Sequence, residues 1–265
     1  MRGRTVEVVD LSPEREEVFL CCLKPYSTTF AEGVPIKREW LDRNRYGGLG
    51  VKLAIDDDGE VAGMLQYSDR RLAPFIVADE GTWVVHCIWV HLYGRGIGNR
   101  GGKGIGGALL RAAEEDMRAR GARGVAAWGV RMDEWMSAPW YERHGYRRVD
   151  EQGQLAVVFK AFDPDVDEPR FLREVRRPEP LPGKTRVSSF LIGWCTGDNL
   201  VHEWARRASE ELGDAVVFER FDTSDPGVAT EWGISTGLFV DGDRLPMDGT
   251  ETYEKVREFI SQRIP

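Results

Sequence analysis

The sequence lacks a long apolar segment. Although 42% of its 265 residues are hydrophobic, no run approaches the roughly 18 residues that a membrane-spanning helix needs. Residues 1–7 lead directly into a strand-like stretch, which does not resemble a cleavable signal peptide. We therefore expect no membrane partner and a cytoplasmic location.

An excess of positive charge is also missing. The chain has 36 Lys and Arg against 44 Asp and Glu, for a formal net charge of −8. Proteins that bind nucleic acids generally need basic surfaces that neutralise phosphates. We therefore expect no nucleic-acid partner.

Cysteine is scarce and poorly spaced for a metal site. The four cysteines are Cys21, Cys22, Cys87 and Cys195. Adjacent cysteines rarely bridge each other because the geometry is strained, and no CxxC or Cys/His ligand spacing is present. We expect reduced thiols and no bound metal.

The chain is long enough for two modest domains. Residues 1–162 predict the order strand, helices, hairpin, strand, helix, strand, helix, strand, strand, which is a mixed α/β fold around one sheet. Residues 163–185 turn acidic and then rich in Arg and Pro, which is typical of a linker. Residues 186–265 predict a small α/β domain in the order β-α-β-α-β-β-α.

The most informative segment joins a strand to a helix through a glycine-rich loop. Thr82 to Leu92 is strongly β-prone, residues 94–103 are rich in Gly and Arg, and Gly104 opens an amphipathic helix. Unpaired N–H groups and the helix dipole at such a start favour a phosphorylated cofactor. The alternative is an ordinary glycine-rich connection. A Rossmann loop is disfavoured because the motif follows a hairpin, and a Walker A loop because Gly104 follows Lys103.

The segment Gly101-Gly102-Lys103-Gly104-Ile105-Gly106, followed by Gly107-Ala108-Leu109-Leu110, resembles the pyrophosphate loop of GNAT acetyltransferases. Arg100 stands one place upstream of the expected Arg or Gln, and a partial copy at residues 95–98 lengthens the loop. The resemblance implies an acetyl-CoA site formed by Arg100, Gly101, Gly102, Lys103, Gly104, Ile105 and Gly106. It also implies that the backbone of Trp89, Val90 and His91 pairs with the pantetheine arm. Which basic side chain meets the phosphates is left open.

The same resemblance continues through Trp140-Tyr141-Glu142-Arg143-His144-Gly145-Tyr146. It implies that Tyr141 is the acid that protonates the leaving thiolate of CoA; the alternative is a packing aromatic. For the base that deprotonates the acceptor we name His86, which could equally be a core histidine. Glu80, Glu134 or a water chain are further options.

In the second domain, Trp194-Cys195-Thr196-Gly197-Asp198 resembles the opening W-C-x-x-C motif of thioredoxin. Asp198 replaces the resolving cysteine, so a dithiol reaction is excluded and the resemblance implies a degenerate thioredoxin-like module. Cys195 could still be a low-pKa thiol at a helix start. A GNAT domain followed by a small domain also resembles a set of bacterial two-domain acetyltransferases.

These features predict an N-acetyltransferase that moves an acetyl group from acetyl-CoA to a primary amine of a small molecule. The resemblance implies direct attack in a ternary complex without a metal. A non-catalytic acyl-CoA sensor and a thiol or redox protein using Cys195 are the alternatives, and the sequence leaves a homodimer open.

Overall fold

A computed structural model of the chain describes residues 6–132, 135–247 and 249–265. Its contacts divide the chain into two units. Unit 1 holds the chain up to Tyr26 together with Arg43–Phe171, and unit 2 holds Ser27–Asp42 together with Leu172–Pro265. The division differs from the predicted boundaries, because a helical segment from the first part of the sequence belongs to unit 2.

The strands, in chain order, are β1 (Glu7–Asp10), β2 (Leu49–Ile55), β3 (Val61–Asp69), β4 (Ile76–Val77), β5 (Thr82–Val90), β6 (Gly124–Val130), β7 (Arg147–Gln152), β8 (Leu155–Ala161), β9 (Arg170–Phe171), β10 (Thr185–Leu191), β11 (Val216–Asp222), β12 (Gly237–Val240) and β13 (Asp243–Arg244). The α-helices are α1 (Glu16–Leu20), α2 (Thr28–Asn44), α3 (Ile105–Ala119), α4 (Ala138–Arg143), α5 (Thr196–Leu212), α6 (Pro226–Trp232) and α7 (Tyr253–Ser261).

Unit 1 is built on a seven-stranded mixed sheet in the order β1-β2-β3-β5-β6-β8-β7. Its neighbouring strands are antiparallel except for the parallel pair β5 and β6, which α3 connects. One face of α3 buries an apolar stripe against the sheet, formed by Ile105, Leu109, Leu110, Ala113 and Met117. The element order agrees with the sequence prediction, with the short pair β4 and β9 in addition.

Unit 2 contains a four-stranded sheet in the order β11-β10-β12-β13. Strand β10 runs parallel to β11 and antiparallel to β12, so α5 provides the crossover between the parallel strands. The order of elements from β10 to α7 is the predicted β-α-β-α-β-β-α. No comparison tests the resemblance to thioredoxin, which stays a prediction.

Helix α2 is 17 residues long. It begins at Thr28 and carries Pro35 inside it, a position that usually breaks a helix because proline lacks an N–H. Contacts within unit 2 stabilise it: the Asn199 Nδ2 donates to the Gly33 carbonyl at 3.4 Å, and Trp40 is fully buried. Tertiary packing therefore overrides the local signal.

Two absences apply to the described ranges alone. No helix within residues 6–132, 135–247 and 249–265 is both long and apolar enough to cross a membrane. The same residues form no cluster of three or more His, Cys, Asp and Glu side chains that could hold a metal ion.

Candidate active site

The central feature of unit 1 is a separation between its two parallel strands. Residues Thr82–Val85 of β5 pair with Gly124–Ala127 of β6, and the pairing stops there although both strands continue. A β-bulge in β5 at His86 shifts its register against β3 at the same level. The Trp128 indole Nε1 bridges the start of the gap by donating to the His86 carbonyl at 2.8 Å. The gap exposes one backbone edge of β5.

The predicted pantetheine-binding backbone lies on this edge. The His91 N–H donates to the Ala62 carbonyl near the start of β3, at 2.8 Å. Because N–H groups alternate in direction along a strand, those of Val90 and Ile88 face away from β3 and into the gap. The Trp89 N–H faces β3. Of the three residues predicted to pair with the pantetheine arm, Val90 is therefore the one whose N–H faces into the gap.

The glycine-rich loop contains two parts with different roles. Residues 92–99 form an excursion that closes on His91: the Arg100 N–H donates to the His91 carbonyl at 2.7 Å, and His91 Nδ1 lies 2.9 Å from the Gly98 carbonyl. The ring of His91 is buried. The partial glycine motif at residues 95–98 therefore belongs to this excursion, whereas the later copy runs directly into α3.

The start of α3 has the properties of an anion site. Gly102 and Gly104 have positive φ values of 71° and 74°, which disfavour other residues, and a Cβ on either would meet no atom within 4 Å. The first N–H groups of a helix have no intrahelical partner, and no side chain of the described residues caps α3. The N–H groups of Ile105 and Gly106 thus have no hydrogen-bond partner among the described residues. Such a helix start favours a negatively charged ligand.

The two basic candidates differ in their partners. Arg100 Nε lies 2.8 Å from Asp56 Oδ2, and its Nη2 lies 3.4 Å from Asp58 Oδ2. Burial acts to raise the pKa of Asp56, but hydrogen bonds from Arg100 and the backbone outweigh it and hold that pKa below its usual value. Lys103 makes no ion pair in the part of the chain that the structure describes. Arg100 therefore anchors the loop, and Lys103 is the available cation.

The remaining loop residue, Gly101, uses its N–H locally. That N–H donates to the Asn99 side chain at 2.7 Å. Since the donor is already engaged, Gly101 contributes shape to the loop rather than a free hydrogen bond.

Tyr141 lies on α4, a short helix capped by Ser137, whose Oγ accepts from the Trp140 N–H at 3.1 Å. The phenol is fully buried, and its O–H donates to Met136 Sδ at 3.7 Å. Burial raises the pKa of Tyr141 well above its ordinary value, with the Cys87 thiol adding to the shift. The phenol is therefore protonated at neutral pH and able to donate, as an acid catalyst must be.

His86, the bulged residue of β5, is fully buried. Its Nε2 lies 2.7 Å from Ser68 Oγ, which itself donates to the Asp69 carbonyl at 2.9 Å. Burial lowers the pKa of His86 to about 3. An imidazole with such a pKa holds a proton poorly, so these features weigh against the predicted role as base.

The structure gives less information about the other two predicted bases, Glu80 and Glu134. Glu80 lies just before β5, with Gly81 and Arg123 around a surface depression at the strand end opposite to the gap. Glu134 lies outside the described residues.

One residue of the site was missed by the sequence reasoning. Met136 is buried, and its sulfur accepts both the Tyr141 O–H and the Ile88 N–H, the latter at 3.3 Å. A methionine in a loop carries no signal that could have identified it, because its position depends on the gap between β5 and β6.

In unit 2, Cys195 is the N-cap residue of α5 and is half-buried. Burial, followed by the charge of Glu251, raises the pKa of Asp198 to about 6, although hydrogen bonds with Thr236 and Cys195 oppose the shift. The thiol and this carboxyl group therefore lie together at the start of α5.

The fold and the site together define a class of protein. A mixed sheet with two separating parallel strands, followed by a glycine-rich loop and an uncapped helix, is suited to binding a CoA thioester and transferring its acyl group. Residues 16–146 match the family model of the Acetyltransferase (GNAT) family. The chain carries a GNAT acetyltransferase domain and is an acyltransferase, which confirms the resemblance of its first part to GNAT acetyltransferases.

Several solved structures are similar in fold. A GNAT acetyltransferase from Brucella melitensis in complex with acetyl-CoA is 21% identical, with 62% of this chain and 92% of that chain covered and a TM-score of 0.40. An Escherichia coli GNAT N-acetyltransferase in complex with CoA is 14% identical, with 64% of this chain and 92% of that chain covered and a TM-score of 0.45. A GNAT acetyltransferase from Staphylococcus aureus is 14% identical, with 60% of this chain and 100% of that chain covered and a TM-score of 0.44. No curated protein matches the chain, so the assignment rests on the family match.

Proposed function

We propose that the chain transfers an acetyl group from acetyl-CoA to a primary amine of a small molecule, by direct attack in a ternary complex. The observation that carries this proposal is the convergence of the Ile88 N–H and the Tyr141 O–H in the gap between β5 and β6. The uncapped start of α3 supports it by offering donors to the pyrophosphate. A cytoplasmic location belongs to the same proposal.

The proposed chemistry needs only groups that the site contains. The amine nitrogen attacks the thioester carbonyl carbon, so that a C–N bond forms and the C–S bond breaks. The Ile88 N–H of β5 stabilises the negative charge on the carbonyl oxygen. Tyr141 gives its proton to the leaving thiolate, and the proton lost by the nitrogen returns to the phenolate through water. No metal takes part.

The cosubstrate site is tested by calorimetric titration with acetyl-CoA. The variants are Lys103→Ala, which removes the available cation, and Gly104→Asp, which adds a carboxylate at the start of α3. Gly153→Asp is the matched control, because Gly153 also has a positive φ, 60°, and open space around it. We expect micromolar binding by the wild type and Gly153→Asp, weaker binding by Lys103→Ala and none by Gly104→Asp. A wild type that binds no acetyl-CoA would refute the proposal.

A turnover assay distinguishes the proposed enzyme from a non-catalytic acyl-CoA sensor. A panel of primary amines is screened for the release of free CoA thiol, with Tyr141→Phe as the inactive reference. Binding without turnover of any amine favours an acyl-CoA sensor. The hydrogen bond between Cys195 and the Asp198 carboxyl group stabilises the protonated thiol and weighs against the thiol alternative, which requires Cys195 to be labelled rapidly at neutral pH.

A further inference from the structure

Two buried donors of the proposed site converge on a single atom. The Ile88 N–H reaches Met136 Sδ at 3.3 Å, and the Tyr141 O–H reaches the same sulfur at 3.7 Å. These are the groups that the proposed reaction assigns to the thioester carbonyl oxygen and to the leaving sulfur. The thioether therefore lies where the reacting thioester must be bound.

The backbone holds Met136 firmly in this place. Its φ of 52° lies in the left-handed region, which is unfavourable for a residue with a Cβ. The Val130 N–H donates to the Met136 carbonyl at 2.8 Å. That carbonyl also approaches Gly129 so closely that a Cβ there would lie 2.6 Å from it. The contacts at the end of β6 thus impose a strained backbone that aims the side chain into the gap.

We propose that Met136 is a specificity-determining residue that fills the acyl subsite and competes with the thioester for its two donors. The inference rests on the proposed function and deepens it. Methionine is unbranched and flexible, so its side chain can rotate aside while its backbone stays fixed. Thioether sulfur is a weak acceptor, so a carbonyl oxygen displaces it at little cost. The space that it yields admits a short acyl group.

The first test is the dependence of kcat/KM on acyl chain length, measured with acetyl-, propionyl- and butyryl-CoA. Met136→Ala deepens the subsite, and one methylene in an apolar pocket is worth about 10–200-fold in specificity. We expect the wild type to prefer acetyl-CoA and the variant to shift the butyryl-to-acetyl ratio upward by about tenfold or more.

Two methionines provide matched controls. Met132 is exposed in the same connection between β6 and α4, and Met117 is buried in the same core but on α3. Met132→Ala and Met117→Ala should both keep the acyl preference of the wild type, although Met117→Ala loses stability to a cavity. An equal shift in Met117→Ala would overturn the assignment, because general loosening would then explain the result.

The second test measures binding and does not depend on turnover. The ratio of the Kd for CoA to the Kd for acetyl-CoA reports what the acetyl group gains on entering the subsite. We expect Met136→Ala and the volume-conserving Met136→Leu to raise this ratio about three- to tenfold, since neither competes for the donors. Met136→Leu keeps the test valid if the alanine variant does not fold.

The outcomes separate this inference from the function on which it rests. A wild type that binds no acetyl-CoA refutes both. A wild type that binds and transfers acetyl groups, with an unchanged Kd ratio in both variants and an unchanged chain-length preference, overturns the role of Met136 alone.

Discussion

At the scale of single residues, the site depends on groups whose protonation is fixed by burial. Tyr141 is kept neutral because water cannot reach and stabilise a phenolate in the interior. His86 is kept neutral for the same reason, with the opposite consequence. A neutral phenol is ready to donate its proton, whereas a buried neutral imidazole resists accepting one.

We expect Tyr141→Phe to lower kcat by about 10²-fold or more, because the leaving thiolate then lacks its acid. The Kd for acetyl-CoA should change by less than about threefold, since the lost O–H···S bond at 3.7 Å is weak. Steady-state kinetics and calorimetry give both values. Tyr146→Phe is the control: its phenol is also buried but donates to Glu114, so kcat should stay near that of the wild type.

For His86 we expect the substitution His86→Gln to leave the acidic limb of the kcat/KM profile against pH in place. The Gln side chain can keep the hydrogen bond to Ser68, and a group with a pKa of about 3 does not titrate in the assay range. Loss or displacement of that limb in the variant would restore His86 as the base.

At the scale of elements, the contact between α2 and α5 within unit 2 depends on one glycine. A Cβ at Gly33 would lie 2.6 Å from the carbonyl oxygen of Thr196, closer than packed atoms allow. The neighbouring Gly197 of α5 differs, since its Cβ would meet only the Cys195 sulfur at 3.8 Å. The two helices therefore approach each other at a point where one partner must lack a side chain.

We expect Gly33→Ala to destabilise the chain by about 1–3 kcal/mol, as overpacking of a close contact does. Gly197→Ala should be neutral or stabilising by up to about 1 kcal/mol, because alanine favours the helix. Denaturant unfolding of the two variants measures the difference. Equal effects would show that the contact between α2 and α5 tolerates a methyl group.

The elements also show what the sequence could and could not predict. The strand, loop and helix from Thr82 to Ala119 followed from periodicity and glycine placement, which are local signals. The position of α2 did not, because its partners in α5 lie about 160 residues away and leave no local pattern. Met136 was missed for a related reason: two strands must separate before its sulfur can meet the Ile88 N–H.

At the scale of the whole molecule, each unit draws on residues that are not contiguous in sequence. Residues 27–42 complete unit 2, and their removal leaves Gly193 without its neighbour Trp40 and α5 without its neighbour Gly33. The predicted domain of residues 186–265 is therefore short of one helix of the unit that the structure defines.

We expect a fragment of residues 172–265 to lack cooperative thermal unfolding, because the surface that α2 covers would be exposed. Addition of a synthetic peptide of residues 27–44 should restore helicity and a sharp transition, as followed by circular dichroism. A fragment that unfolds cooperatively alone, with no response to the peptide, would contradict this division of the chain.

Each unit also contains one buried histidine with a lowered pKa. Burial lowers the pKa of His86 to about 3, and burial followed by Arg220 lowers that of His202 to about 4. Below a pH of about 6.5 the two imidazoles bind protons in the unfolded chain but not in the folded chain. The free energy of unfolding therefore decreases as the pH falls toward these two pKa values.

The loss should reach about 1.4 kcal/mol per pH unit for each histidine at most. We expect the free energy of unfolding, measured with urea between pH 6.5 and pH 4.5, to depend less steeply on pH in His86→Gln and in His202→Gln than in the wild type. A slope that is unchanged in both variants would show that other groups, such as paired carboxylates, govern acid stability.

The inclusion of residues 27–42 in unit 2 has a consequence for folding during synthesis. Gly33 and its partner Asn199 are 166 residues apart, and a ribosome adding 5–20 residues per second separates them by roughly 8–30 s. Throughout that interval α2 has left the exit tunnel while the surface that will cover it has not been made. Residues 27–42 therefore pack into unit 2 only after α5 has been synthesised, when all seven strands of the main sheet of unit 1 have already been made.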